Sequence, residues 1–148
     1  MTPHFSAREL TRSGAASRLG ICNQPNDRQL ASLKLLAENV LEPVRRHFGA
    51  PVFVSSGYRS EELNMAIGGS NRSQHCYGQA ADLYVFQVSN LEVCRFIAAT
   101  QRFDQLIAEY ATAFDPYSGW VHVSYTGSRD RRQVLTKSAE GYAQGLPE

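Results

Sequence analysis

The sequence predicts an α+β domain, a small and mainly antiparallel sheet with helices packed on one face. Three observations carry that expectation. Helical periodicity clusters early in the chain, short runs rich in β-branched and aromatic residues cluster late, and the last two of these runs, Gln105 to Tyr110 and Trp120 to Tyr125, suit an antiparallel hairpin. A doubly wound parallel sheet fits this order less well.

Each element has a local reason. Ser6 followed by Glu9 makes a capping box for a short helix through about Ser13, with Phe5 at the staple position, and this helix reads as a lid over the core. After a turn around Asn23, Pro25 and Asn26, apolar residues from Leu30 through Leu33, Ala37, Val40 and Val44 to Phe48 form one inward stripe; Pro43 should kink or divide that helix and Gly49 should end it. Pro51 to Ser56 reads as a buried strand. Ser60, Glu61 and Glu62 start a short helix that stops at Gly68-Gly69, and a polar loop, Ser70 to Gln74, follows. Ala80 to Phe86 is a second strand, Ser89 with Glu92 caps another helix, and the hairpin strands close the set, joined by a loop with Asp115-Pro116 and Gly119.

The 148 residues are 43% hydrophobic and 20% charged with a formal net charge of +1, the balance of one soluble domain over residues 1–148, with a tail from about residue 127 expected to be less ordered. A chain of this size can bury roughly 68–70% of its unfolded surface, so it needs no disulfide staple. Near-neutral charge excludes the electrostatic footprint of a dedicated nucleic-acid binder, and the basic stretch of Arg129, Arg131, Arg132 and Lys137 reads as a solvated face. Cys22, Cys76 and Cys94 show no C-x-x-C spacing, which suits reduced thiols in a protein made in the cytoplasm. With no signal peptide after Met1 and no apolar run near ~18 residues, membrane insertion is not expected.

Chemistry concentrates in two places. Ser73-Gln-His75-Cys-Tyr-Gly78-Gln-Ala80-Ala-Asp82 sets a histidine and an aspartate either side of a glycine, so that a loop can return the imidazole toward the carboxylate. In the last strand Val121 and Val123 share one face, and with the valines in the core His122 must face a cleft or solvent. Two neutral imidazoles and one carboxylate around an open fourth position are what a catalytic zinc site needs, and His75, Asp82 and His122 could supply that set. Taken one at a time, each is more often an ordinary surface or core residue.

Three separated segments then show a resemblance: Ser56-Gly57-Tyr58-Arg59-Ser60 with Asn64 after it, Ser73-Gln74-His75-x-x-Gly78-x-Ala80-x-Asp82, and Trp120-Val121-His122-Val123-Ser124. In order and spacing they resemble the D-Ala-D-Ala metallopeptidase family, zinc peptidases that share a fold with lysostaphin-type enzymes and the hedgehog signalling domain. The opening His4-Phe5-Ser6 through Glu9-Leu10 resembles phage and prophage members.

The resemblance implies that His75, Asp82 and His122 bind one zinc ion (Zn2+) and that Arg59 binds substrate and steadies its carbonyl oxygen as it becomes negative. It implies that Ser73 orients substrate or caps its loop, and that Gly78 lets the backbone pass close to the metal. The general base is open, because some members carry an acidic residue three positions before the last histidine and this chain has Gly119 there. Glu109 is the candidate, since Gln105, Ile107 and Glu109 share a strand face that an antiparallel return sets near His122. Asp115 is the reserve. His4 and His47 default to surface residues, and Cys76 has no identifiable base to make it a nucleophile.

The implied activity is hydrolysis of peptide bonds in bacterial peptidoglycan stem peptides, by a D-Ala-D-Ala carboxypeptidase or an endolysin-type endopeptidase that reaches the wall by holin-type release or as a virion component. No nucleotide cofactor is expected without a glycine-rich phosphate loop, and monomer is the default. The rival is a zinc-stabilised, non-catalytic binding or phage-assembly module of the same fold, which the glycine at position 119 favours.

Overall fold

Alternation gives β1 (Val52–Ser56), β2 (Ala80–Val85), β3 (Gln105–Glu109) and β4 (Trp120–Ser124) one apolar face each, and pairing lines those faces up. The computed structural model, which describes residues 1–100 and 102–148, joins them to β5 (Gln133–Ser138) and β6 (Gly141–Gln144) in the order β1-β2-β4-β3-β5-β6. Every neighbouring pair is antiparallel except β3 and β5. Val54, Leu83, Val121, Val123 and Leu106 are buried on one face, against Leu33, Leu36, Leu91 and Ile97 of the helices. The α+β expectation holds, and the uncovered face of the central strands is left for chemistry. Among the described residues no helix is long and apolar enough to cross a membrane.

The helices follow their caps. In α1 (Ala7–Thr11) the Ser6 hydroxyl accepts from the Glu9 N–H at 3.1 Å while the Glu9 carboxylate accepts from the Ser6 N–H at 3.3 Å. The helix stops short of Ser13 because Ser13 caps a second one, α2 (Gly14–Leu19), accepting from the Ala16 N–H. From α3 (Asp27–Leu36) the chain runs through one π-helical turn, Ala37–Leu41, into α4 (Glu42–Phe48). The Glu42 N–H reaches back five residues to the Ala37 carbonyl. This widened turn accommodates Pro43, which has no N–H to give and whose ring would crowd a normal helical turn. Two further helices, α5 (Glu61–Ala66) and α6 (Asn90–Thr100), complete the set.

Three expectations need correction. The strands do not end at Tyr125: the tail from about 127 contains β5 and β6, whose weak alternation gives little signal and whose pairing is supplied by the open edge of β3. The Ser70–Gln74 loop runs into a 3-10 turn, Gln74–Tyr77, capped by Ser73. Gly78 does serve a close approach, but to α3: with φ of 70°, a Cβ there would lie 2.4 Å from the Gln29 carbonyl oxygen.

The basic stretch is also not one solvated face. Arg131 closes on Asp104 with Nε at 3.0 Å, Nη2 at 2.9 Å and its backbone N–H at 2.8 Å, while Gln74 donates to the same carboxylate at 2.9 Å. Asp104 thereby ties the tail and the 3-10 turn to the start of β3. Elsewhere His4 is anchored rather than loose, its ring nitrogen 2.8 Å from the buried Glu42, and His47 stacks on Phe96 with centroids 3.9 Å apart.

Candidate metal centre and active site

Register brings the first two site residues together. β2 and β4 pair Asp82 directly with His122, with Val121 and Val123 turned into the core as strand phase requires. Beside Asp82 the β1–β2 ladder slips between Val54 and Ser56, a bulge that frees Ser56 to accept from the Arg59 Nε–H at 2.9 Å. His75 arrives from the 3-10 turn and is latched twice to the segment after β1. Its Nδ1 lies 2.7 Å from the Gly57 carbonyl oxygen, and its own carbonyl accepts from the Arg59 N–H at 3.1 Å.

His75, Asp82 and His122 are all buried, and one potential ligand atom from each lies within 4.8 Å of the others. His122 Nδ1 is 2.9 Å and His75 Nε2 is 3.4 Å from the same oxygen, Asp82 Oδ1, while Arg59 Nη2 donates to Oδ2 at 3.1 Å. Burial pushes the Asp82 carboxyl upward, but the hydrogen bond from His122 leads the effects that outweigh it and hold the group well below the usual carboxylate range. Burial lowers His75, against the smaller upward pull of Asp82, so its ring is neutral.

Proton placement tests the fit of a metal. The Gly57 carbonyl can only accept, so the single proton of neutral His75 sits on Nδ1 and Nε2 aims a lone pair at a carboxylate oxygen. Two acceptors facing one another in a buried site call for a cation between them. The donor set, two imidazole nitrogens and one carboxylate oxygen with His75 oriented by a backbone carbonyl, is that of a zinc site with three protein ligands.

The cluster opens into a cleft of about 490 Å³ that is also lined by Arg59, Ser73, Glu109, Trp120, Lys137 and Tyr142. Ile107 stands opposite His122 and Glu109 opposite Trp120, which puts Glu109 one alternate position along the same sheet face. Among the described residues the Glu109 carboxylate has no hydrogen bond or ion pair. Burial and then the charge of Asp82 raise its carboxyl, against His122, Lys137 and Arg59. Asp115 is placed elsewhere, on an exposed loop where its carboxylate accepts from the Tyr117 N–H, and it does not line the cleft.

Gly119 has a steric cause. Its φ is 67° and a Cβ would lie 1.9 Å from the Glu109 carbonyl oxygen, so no acidic side chain fits at 119 unless the backbone that carries Glu109 moves. Arg59 makes three bonds, to Asp82, Ser56 and Asn64, and its guanidinium keeps two further N–H groups. The Ser73 hydroxyl accepts from the His75 N–H at 3.3 Å, capping the turn while lining the cleft. Burial raises the Cys76 thiol, which keeps it protonated. Lys137, expected on a solvated face, and Tyr142, not singled out at all, reach the cleft on the two strands whose alternation is weak.

A divalent cation held this way, next to a carboxylate free to take a proton and at the base of an open cleft, is the working end of a metallohydrolase. The comparison with protein families narrows that class: residues 3–124 match the Peptidase M15 family, and the chain belongs to it. The matched stretch contains His75, Asp82, Glu109 and His122 and stops at the end of β4. Among curated proteins none matches the chain.

Proposed function

We propose that this chain is a zinc peptidase that hydrolyses peptide bonds in the stem peptides of bacterial peptidoglycan. The observation that carries the reading is the convergence of His75 Nε2, Asp82 Oδ1 and His122 Nδ1 in the cleft of an M15 peptidase. These three residues would hold zinc, which when bound there polarises a carbonyl and lowers the pKa of water from ~15.7 toward ~7.

The chain's own groups do the rest. Glu109, whose carboxylate makes no hydrogen bond or ion pair among the described residues, accepts the attacking water's proton on a carboxylate oxygen and passes it to the leaving amine, a contribution of roughly 10²–10⁴-fold. Its raised pKa brings it nearer the working pH, where taking and returning a proton are both feasible. Arg59 holds Asp82 Oδ2 so that Oδ1 faces the two histidines, and its spare N–H groups suit the oxygen that becomes negative. Ser73 orients the cleft rim through the turn it caps.

A D-alanine-containing bond is the leading substrate, cut by a carboxypeptidase or an endolysin-type endopeptidase. The non-catalytic module draws support from Gly119, but Glu109 in the cleft supplies the carboxylate that reading requires to be missing. Digestion of purified peptidoglycan by the zinc-loaded protein, with fragments identified by mass spectrometry, tests this. Released D-alanine or new stem-peptide termini are expected, and intact peptidoglycan beside fully zinc-loaded protein would favour the non-catalytic module.

A further inference from the structure

The β5–β6 hairpin lies beyond the stretch that matches the family, yet it builds a wall of the same cleft. Lys137 stands beside Glu109 in the β3–β5 ladder and beside Tyr142 in the β5–β6 ladder, so all three share the sheet face that carries His122. Its Nζ lies 6.0 Å from the centroid of the Tyr110 ring and 5.2 Å from that of Tyr142. Two aromatic rings restrict the ammonium, which lowers the cost of ordering a long side chain when a partner binds.

Charge balance says what that partner is. Of the cations lining the cleft, Arg59 is paired with Asp82 and Arg131 with Asp104, whereas Lys137 and Arg72 have no carboxylate within ion-pair distance among the described residues. Glu109, its cross-strand neighbour, acts on Lys137 only at longer range, so an ammonium held at the cleft wall without a direct ion pair suits an anionic group brought by the substrate.

We infer that Lys137, flanked by Tyr110 and Tyr142, is a specificity residue that binds a free side-chain carboxylate of the substrate peptide. The inference rests on the peptidase reading above and adds the substrate's chemistry: an acidic peptide rather than its amidated counterpart.

The test uses two synthetic stem-type peptides that differ only in whether one side-chain carboxylate is free or amidated. They are offered to the zinc-loaded wild type and to Lys137→Met and Lys137→Arg, with affinities measured by calorimetry in a Glu109→Gln background that does not turn over. Lys137→Met is expected to raise the Kd of the acidic peptide about tenfold, the size of one charge-assisted hydrogen bond, while the Kd of the amidated peptide stays the same and any change in kcat is shared by both peptides. Lys137→Arg restores most of the loss, and zinc content reports that each variant is folded. Equal weakening for both peptides, an altered pH profile alone, or a wild type that cleaves both peptides alike would overturn the subsite and leave the peptidase. A zinc-loaded wild type that neither binds nor cleaves either peptide removes the peptidase reading and the subsite with it.

Discussion

Asp82 and Asp104 are both buried, 8% and 4% exposed, and each is held by an arginine, but the protein completes the hydrogen bonding of only one. Asp104 accepts from Arg131 three times and from Gln74 once, every donor carrying a hydrogen. Asp82 meets Arg59 on one oxygen, and on the other meets His122 together with a His75 nitrogen whose proton is on the far side of the ring. A buried carboxylate whose lone pairs are all satisfied works as a pin. One that faces another acceptor is arranged to share a cation.

The largest difference between the two should appear in metal content. His122→Ala is expected to abolish zinc retention while Asp104→Asn keeps it equimolar, as measured by elemental analysis after gel filtration; zinc in both variants would dissolve the contrast. Next in size is catalysis. Glu109→Gln should retain zinc and lose roughly 10²–10⁴-fold in peptide cleavage. Adding Gly119→Glu should not rescue it and should lower Tm, because the left-handed backbone and the Glu109 carbonyl leave no room for the side chain.

The smallest effect concerns stability. Asp104→Ala should cost about 1–3 kcal/mol in denaturant unfolding, chiefly from stranded donors, since Arg131 is half exposed and water takes over its side of the pair. The hydrogen bond to Arg131 leads the effects that hold the Asp104 carboxyl below its ordinary value. A depressed carboxylate contributes stability above its unfolded pKa of ~3.9 and loses it as pH falls. The gap between wild type and Asp104→Ala should therefore be full near neutrality and close below about pH 4.

Sequence reading reached the cluster because the family resemblance named the three residues, and local rules are consistent with where each one lies. Strand phase turns His122 away from the valines, a capped turn closed by Gly78 returns His75, and Asp82 pairs across β2 and β4. It also put Glu109 on the right sheet face, since a period of two survives small errors in strand limits. What it missed depends on partners remote in sequence. β5 and β6 exist by virtue of an edge offered by β3, Asp104 is unremarkable until Arg131 folds over it, and the clash at Gly119 is visible only once Glu109 lies alongside. The π-helical turn before Pro43 is a subtler case, in which one proline signal had more than one structural answer.

The parallel seam between β3 and β5 sets a practical boundary on this molecule. Trimming the chain at Ser124, where the family likeness stops, would strip the cover from β3 and leave a row of unmet backbone donors and acceptors along the strand that carries Glu109. Such a fragment is expected to self-associate through that bare edge, so any minimal version, fusion or graft of this peptidase has to carry the hairpin with it.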